Sequence, residues 1–185
     1  MRPFWGLMLL LACKSSPPEA NDTKPTATTT TSSAEPPAKK PAELAWTMPS
    51  GWSAEPTAGM RKATYRIAKA AGDKEDATLA VIAAGGSVES NVARWKTQFD
   101  QPHDIQRTEG KVGDLQVTTV EIHGTYTGGG VMVGESPDPR PGWALVGAIV
   151  PTQDQAYFFK MLGPDKTVAA ARHDFQALVD SIHSK

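Results

Sequence analysis

Apolar and polar positions change rhythm several times along this chain, and each change marks an element. The pattern is densest from Trp143 to Ile182, which reads WALVGAIV, a polar PTQDQ, AYFFKML and then GPDKTVAAARHDFQALVDSI. Ala144 to Val150 is apolar at every position, which predicts a central strand covered on both faces. Tyr157, Phe158, Phe159, Met161 and Leu162 predict a second strand beside it, with Lys160 its one charge. Val168, Ala171, Phe175, Leu178, Val179 and Ile182 recur at helical spacing and predict a closing amphipathic helix. This unit builds a core and carries no reaction chemistry.

Upstream the rhythm is mostly that of strands. Trp46 and Trp52 bracket Met48-Pro49-Ser50-Gly51, a short extended segment closed by a turn. Arg61 to Ile67 alternates, with Ala63, Tyr65 and Ile67 on one side and Lys62, Thr64 and Arg66 on the other, as a half-buried strand does. After a polar turn at 72–76, Ala77 to Ala84 predicts another strand. Gly85-Gly86-Ser87 then opens a helix with Ser87 as N-cap. Val88, Val92, Trp95 and Phe99 share one face of that helix, and the segment 100–104, with Pro102, ends it. Ile105 to Val112 and Leu115 to Ile122 read as a hairpin around Gly113-Asp114. Within its second strand the apolar phase changes between Val117 and Val120, so either Thr119 faces inward or a bulge intervenes. The order is β-β-β-α-β-β-β-β-α, an α+β domain with an antiparallel sheet flanked by two main helices, one to each face.

Gly124 to Gly142, with Gly128-Gly129-Gly130 and three prolines, reads as a long irregular segment. Loops of this length inside a compact domain are functional or mobile, and loops on a rigid scaffold carry recognition residues. Its candidate contact groups are Tyr126, Val131, Met132, Val133 and Arg140.

The N-terminal end has a different character. Arg2 followed by the apolar run Phe4 to Ala12 reads as a compact signal peptide, too short for a spanning helix. Leu10-Leu11-Ala12-Cys13 resembles the bacterial lipobox, which implies lipid modification of Cys13 and anchoring to a membrane through several acyl chains. Lys14 to Glu43 is dominated by Pro, Thr, Ser and Ala and lacks the apolar side chains that would offset the entropy of ordering. The expected organisation is a signal peptide over 1–12, the lipidated cysteine with a disordered linker over 13–43, and one globular domain over 44–185. The expected location is therefore a bacterial cell envelope, lipid-anchored to a membrane, either the outer membrane or a periplasmic face.

Charge and cysteine content remove several classes. With 19 basic and 20 acidic residues and a formal charge of -1, no basic field exists to hold a phosphate backbone, so nucleic acid is not an expected partner. The single cysteine excludes an internal disulfide. None of the four histidines (103, 123, 173 and 183) forms a close pair of zincin type. Glu121 with His123 is the best metal candidate. Alternation with Val120 and Ile122 turns that pair to solvent, and nothing nearby supplies further ligands, so neither a metal nor another cofactor is expected. Gly85-Gly86-Ser87 lacks the Lys of a phosphate-binding loop and reads as a turn plus N-cap. No nucleophile elbow or Ser-x-x-Lys pattern is present, and an enzyme is not expected.

Pro-x-Gly-Trp at 49–52, the helix after the third strand, Gly-Ala-Ile-Val at 147–150 and Phe-Phe-Lys-x-x-Gly-Pro at 158–164 resemble the PsbP-like group of α/β/α sandwich domains, and more narrowly small bacterial lipoproteins of that layout. The resemblance covers about Leu44 to Ser184 and rests on structural motifs. It implies a fold, and a non-enzymatic binding or assembly role with a protein partner in the envelope. The alternative is a small-molecule or metal-binding envelope protein, with a pocket formed near Trp46, Trp52 and the 124–142 loop.

Overall fold

The computed structural model describes residues 43–128 and 138–185. The signal peptide, Cys13, the linker up to residue 42, and Val131, Met132 and Val133 lie outside the described residues.

The chain runs β1 (Leu44–Ala45), β2 (Ser53–Glu55), β3 (Arg61–Ile67), β4 (Ala77–Ala84), α1 (Val88–Lys96), β5 (Phe99–Val112), β6 (Leu115–Tyr126), β7 (Arg140–Pro151), β8 (Ala156–Pro164), α2 (Asp165–Asp180) and β9 (His183–Ser184). Seven strands pair antiparallel in the order β2-β3-β4-β8-β7-β6-β5, and β1 pairs separately with β9. The most apolar strands, β8 and β7, thus lie at the centre, where both faces need cover.

Side-chain alternation along β7 shows that both faces are covered. Ala144, Val146, Ala148 and Val150 join one apolar cluster with Val168, Phe175, Leu178 and Val179 of α2. Trp143, Leu145 and Ile149 join a second cluster with Val92 and Trp95 of α1. The same duality explains the phase change in β6. Val117 belongs to the α2-side cluster and Val120 and Ile122 to the α1-side cluster, while the register with β5 is unbroken from Val117 to Glu121 and that with β7 from Thr118 to Gly124. No bulge is needed there, because an apolar residue is buried whichever way it points.

Each helix start has its own cap. Ser87 caps α1, its Oγ accepting from Ser90 N at 3.1 Å. Pro164 precedes α2 without a side-chain cap. Asp73, from the turn between β3 and β4, supplies the carboxylate instead: Oδ2 accepts from Thr167 N at 2.9 Å and from Thr167 Oγ1 at 2.6 Å. A carboxylate at a helix N-terminus satisfies unpaired N–H groups and complements the dipole.

Two sequence expectations need correction. Helix α1 stops at Lys96, and Phe99 opens β5 instead of closing the helix face, although it is buried as expected. The segment 100–104 continues this strand through two register shifts, with Gln101 and Asp104 at positive φ. The 124–142 segment is also shorter than expected. Gly124 pairs with Trp143 and Tyr126 with Arg140, so both of these contact groups stand on strands.

Candidate functional site

Beside the described ends of the 124–142 segment, a ladder of aromatic and cationic side chains lies on the α1 face of the sheet. Register builds it, since Tyr126 and Arg140 are cross-strand partners and Trp143 sits three residues along β7. Tyr126 and Trp143 stack nearly parallel, with ring centroids 5.7 Å apart. The Arg140 guanidinium carbon lies 4.7 Å from the Trp143 ring centroid, within cation–π range. Phe99 meets the Tyr126 ring edge-on at 5.5 Å. Trp143 is buried, but the Arg140 side chain is 39% exposed and pairs with Glu75 at 3.3 Å. The ladder therefore runs from core to surface and ends in a charge. Burial raises the pKa of the Tyr126 phenol, and Arg140 pulls the opposite way.

Lys160 closes the inner end. It stands on the α1 face of β8, between Phe158 and Leu162. Its Nζ donates to Gln98 Oε1 and lies 5.8 Å from the Tyr126 ring centroid. Burial, with Arg94 and Arg61 nearby, lowers its pKa to about 8, so the amine titrates within reach of physiological pH. In the sequence Lys160 stands out only as the lone charge in an apolar strand. That oddity was the available signal, because an isolated cation in a central strand has to find a partner on a buried face.

The histidine–carboxylate pair lies on the opposite face, and here the structure overturns an expectation. Glu121 does not point to solvent: it is buried beneath α2 at 6% exposure. Arg172 of α2 engages both of its oxygens, Nη1 donating to Oε1 at 2.8 Å and Nη2 contacting Oε2. His123 Nε2 lies 3.1 Å from Glu121 Oε1 and Nδ1 lies 2.7 Å from Asp165 Oδ1. Both ring nitrogens are thus taken by carboxylates, and the arrangement pins α2 to β6. Among the described residues no group of three or more His, Cys, Asp or Glu side chains has a metal-holding arrangement.

The pocket expected near Trp46, Trp52 and the 124–142 loop is divided among separate places. Trp46 packs edge-on against Phe159 at 5.1 Å and donates through Nε1 to Tyr65 Oη at 2.9 Å. It lines a depression of about 330 Å³ with Lys62, Tyr65 and Tyr157. Trp52 lines a different one of about 200 Å³. Both tryptophans belong with the α2-side cluster, whereas Tyr126 and Trp143 pack on the α1 side. The sheet stands between them.

No protein-family model and no curated protein matches the chain. Among solved structures, the chain is similar to the solution structure of cyanobacterial PsbP (CyanoP) from Synechocystis sp. PCC 6803. The TM-score is 0.46 at 11% sequence identity, with 83% of this chain and 98% of that chain covered.

Proposed function

We propose that this protein is a lipid-anchored component of a bacterial cell envelope whose domain, a PsbP-like α/β/α sandwich, serves as a non-enzymatic binding or assembly module. Cys13 carries the anchor, residues 13–43 form the linker, and a protein partner docks on the surface that ends in Arg140. The observation that supports the docking site is the Arg140–Trp143–Tyr126 ladder. Arginine and aromatic side chains dominate binding energy at protein interfaces, and here a half-exposed guanidinium is held in place by a buried indole. A pre-positioned side chain loses less entropy on binding than a free one. Among the described residues no helix is long and apolar enough to cross a membrane.

The reading is tested by producing the full chain in a bacterial host with its own leader, then capturing partners from solubilised membranes. Arg140→Glu should lose the captured partner while unfolding at the wild-type temperature. Cys13→Ala should leave the membrane fraction or accumulate uncleaved. A Cys13→Ala protein that is processed and fractionates as wild type removes the anchor. Unchanged capture by Arg140→Glu removes the docking site.

A further inference from the structure

The sheet ends on two edges of different length. At one edge β2 has only three residues. At the other, β5 has 14, all but its first and last exposed. Exposed edges offer unpaired N–H and C=O groups to another strand, and folded proteins usually blunt them. The first half of β5 is blunted by Pro102, by positive φ at Gln101 and Asp104, and by two register shifts. From Gln106 to Val112 the register is regular, with no proline, no positive φ even at Gly110 and no register shift, and the guards left are the charges of Arg107, Glu109 and Lys111.

The hairpin turn fixes which groups face outward. Val112 pairs with Leu115 across the two-residue turn Gly113-Asp114, and Gly113 alone of the two has positive φ, at 56°. That is a type II′ hairpin, whose flanking residues hydrogen-bond to each other. Alternation then directs the backbone groups of Val112, Gly110, Thr108 and Gln106 to β6, and those of Lys111, Glu109 and Arg107 outward. On the α1 face, Arg107 donates to Glu89 at 2.8 and 2.7 Å and to Glu109 at 2.7 Å.

We propose that this edge pairs with the same edge of a second copy of the chain, antiparallel about a two-fold axis through Thr108. Same-face pairing requires the axis to pass through a residue. An axis at Gly110 would set Glu109 against Lys111 but push Arg107 opposite the turn residue Gly113, and among the axes that keep Arg107 within the paired stretch charge selects one. An axis at Arg107 opposes two arginines. An axis at Glu109 opposes two glutamates and sets Arg107 against Lys111. An axis at Thr108 sets Arg107 of each copy against Glu109 of the other and leaves Thr108 facing itself. The outward backbone groups of Arg107 and Glu109 then hydrogen-bond across the axis, and the two sheets become one. The interface is isologous, as in most dimers. This inference is independent of the docking site at Arg140.

The test uses the full chain carrying Cys13→Ser, so that an introduced cysteine is the only one. Thr108 and its symmetry mate form a non-hydrogen-bonded pair with Cα atoms about 4.5 Å apart, within disulfide range. Thr108→Cys should therefore oxidise to a covalent dimer, and Gln106→Cys should do so at least about tenfold more slowly. In sedimentation equilibrium, Arg107→Glu and Glu109→Lys should each weaken self-association on the order of tenfold, because each creates like-charge pairs across the axis. Mixing these two variants restores opposite charges at both positions and should restore association. A wild-type chain that stays monomeric up to about 1 mM overturns the proposal. So does association that the two charge variants leave unchanged, or oxidation no faster at residue 108 than at 106.

Discussion

Gly147 lies at the centre of the sheet, opposite Lys160 on β8 and Val120 on β6, beneath the indole of Trp95. A Cβ there would lie 2.3 Å from Trp95 Cζ3 and 2.6 Å from Cη2, where ordinary contact begins at 3.4 Å. The ring cannot simply retreat, because Trp95 is 2% exposed and meets Phe158 edge-on at 6.4 Å. Gly147 is not at positive φ, so alanine there brings no backbone strain. By itself the loss of glycine would stabilise the chain by ~0.5–1 kcal/mol through the unfolded state. Overpacking a filled core costs ~1–3 kcal/mol, and the gap here is at the severe end. Gly147→Ala should therefore destabilise by about 2 kcal/mol, lowering the urea midpoint by about 1 M with unchanged slope. Circular dichroism during urea titration of the full chain measures this. The decisive comparison is a double-mutant cycle. With Trp95→Leu already in place, adding Gly147→Ala should be neutral or slightly stabilising, a coupling of about 2 kcal/mol. An equal cost in both backgrounds, or a Gly147→Ala midpoint at or above wild type, refutes the steric account of this glycine.

Phe175→Ala should cost roughly 3–5 kcal/mol in the same titration, since its ring is almost wholly buried in the α2-side cluster. Arg172→Met should cost about 2 kcal/mol by taking the guanidinium from the buried Glu121 carboxylate, which then keeps only its His123 contact, and Glu121→Met added to it should recover most of the loss. Lys160 titrates at about 8 in the folded chain and at 10.5 when unfolded, so the unfolded state binds more protons between those values. Stability should then rise from pH 8 towards pH 10, by at most about 3 kcal/mol, and Lys160→Met should abolish that slope. A slope common to wild type and Lys160→Met assigns the effect to other groups.

Local pattern determined most of the elements. An unbroken apolar run at 144–150 announced a strand buried on both faces, and stripes at helical spacing announced α1 and α2. Ser87 announced the cap that the structure contains. These depend on neighbours within a few residues, so the sequence carries them directly. The pairing of β6 with β7 was not legible: the glycines and prolines of 124–142 mask the pattern, and only register with Trp143 makes strand residues of Tyr126 and Arg140. For the same reason the Arg140–Trp143–Tyr126 ladder could be named residue by residue but not assembled. Alternation also misled at Glu121. It shows which side of a strand a residue occupies, not what covers that side. Where both faces are covered, a polar position opposite an apolar one can be as buried as its neighbour, and here Arg172 comes from α2, 51 residues away, to pair with it. Composition could count the tryptophans, yet only the layered packing sets Trp46 and Trp52 on one face and Trp143 on the other. Sequence periodicity thus fixed the local elements, while register and the layer above each face, set by residues far apart in the chain, decided which side chains meet.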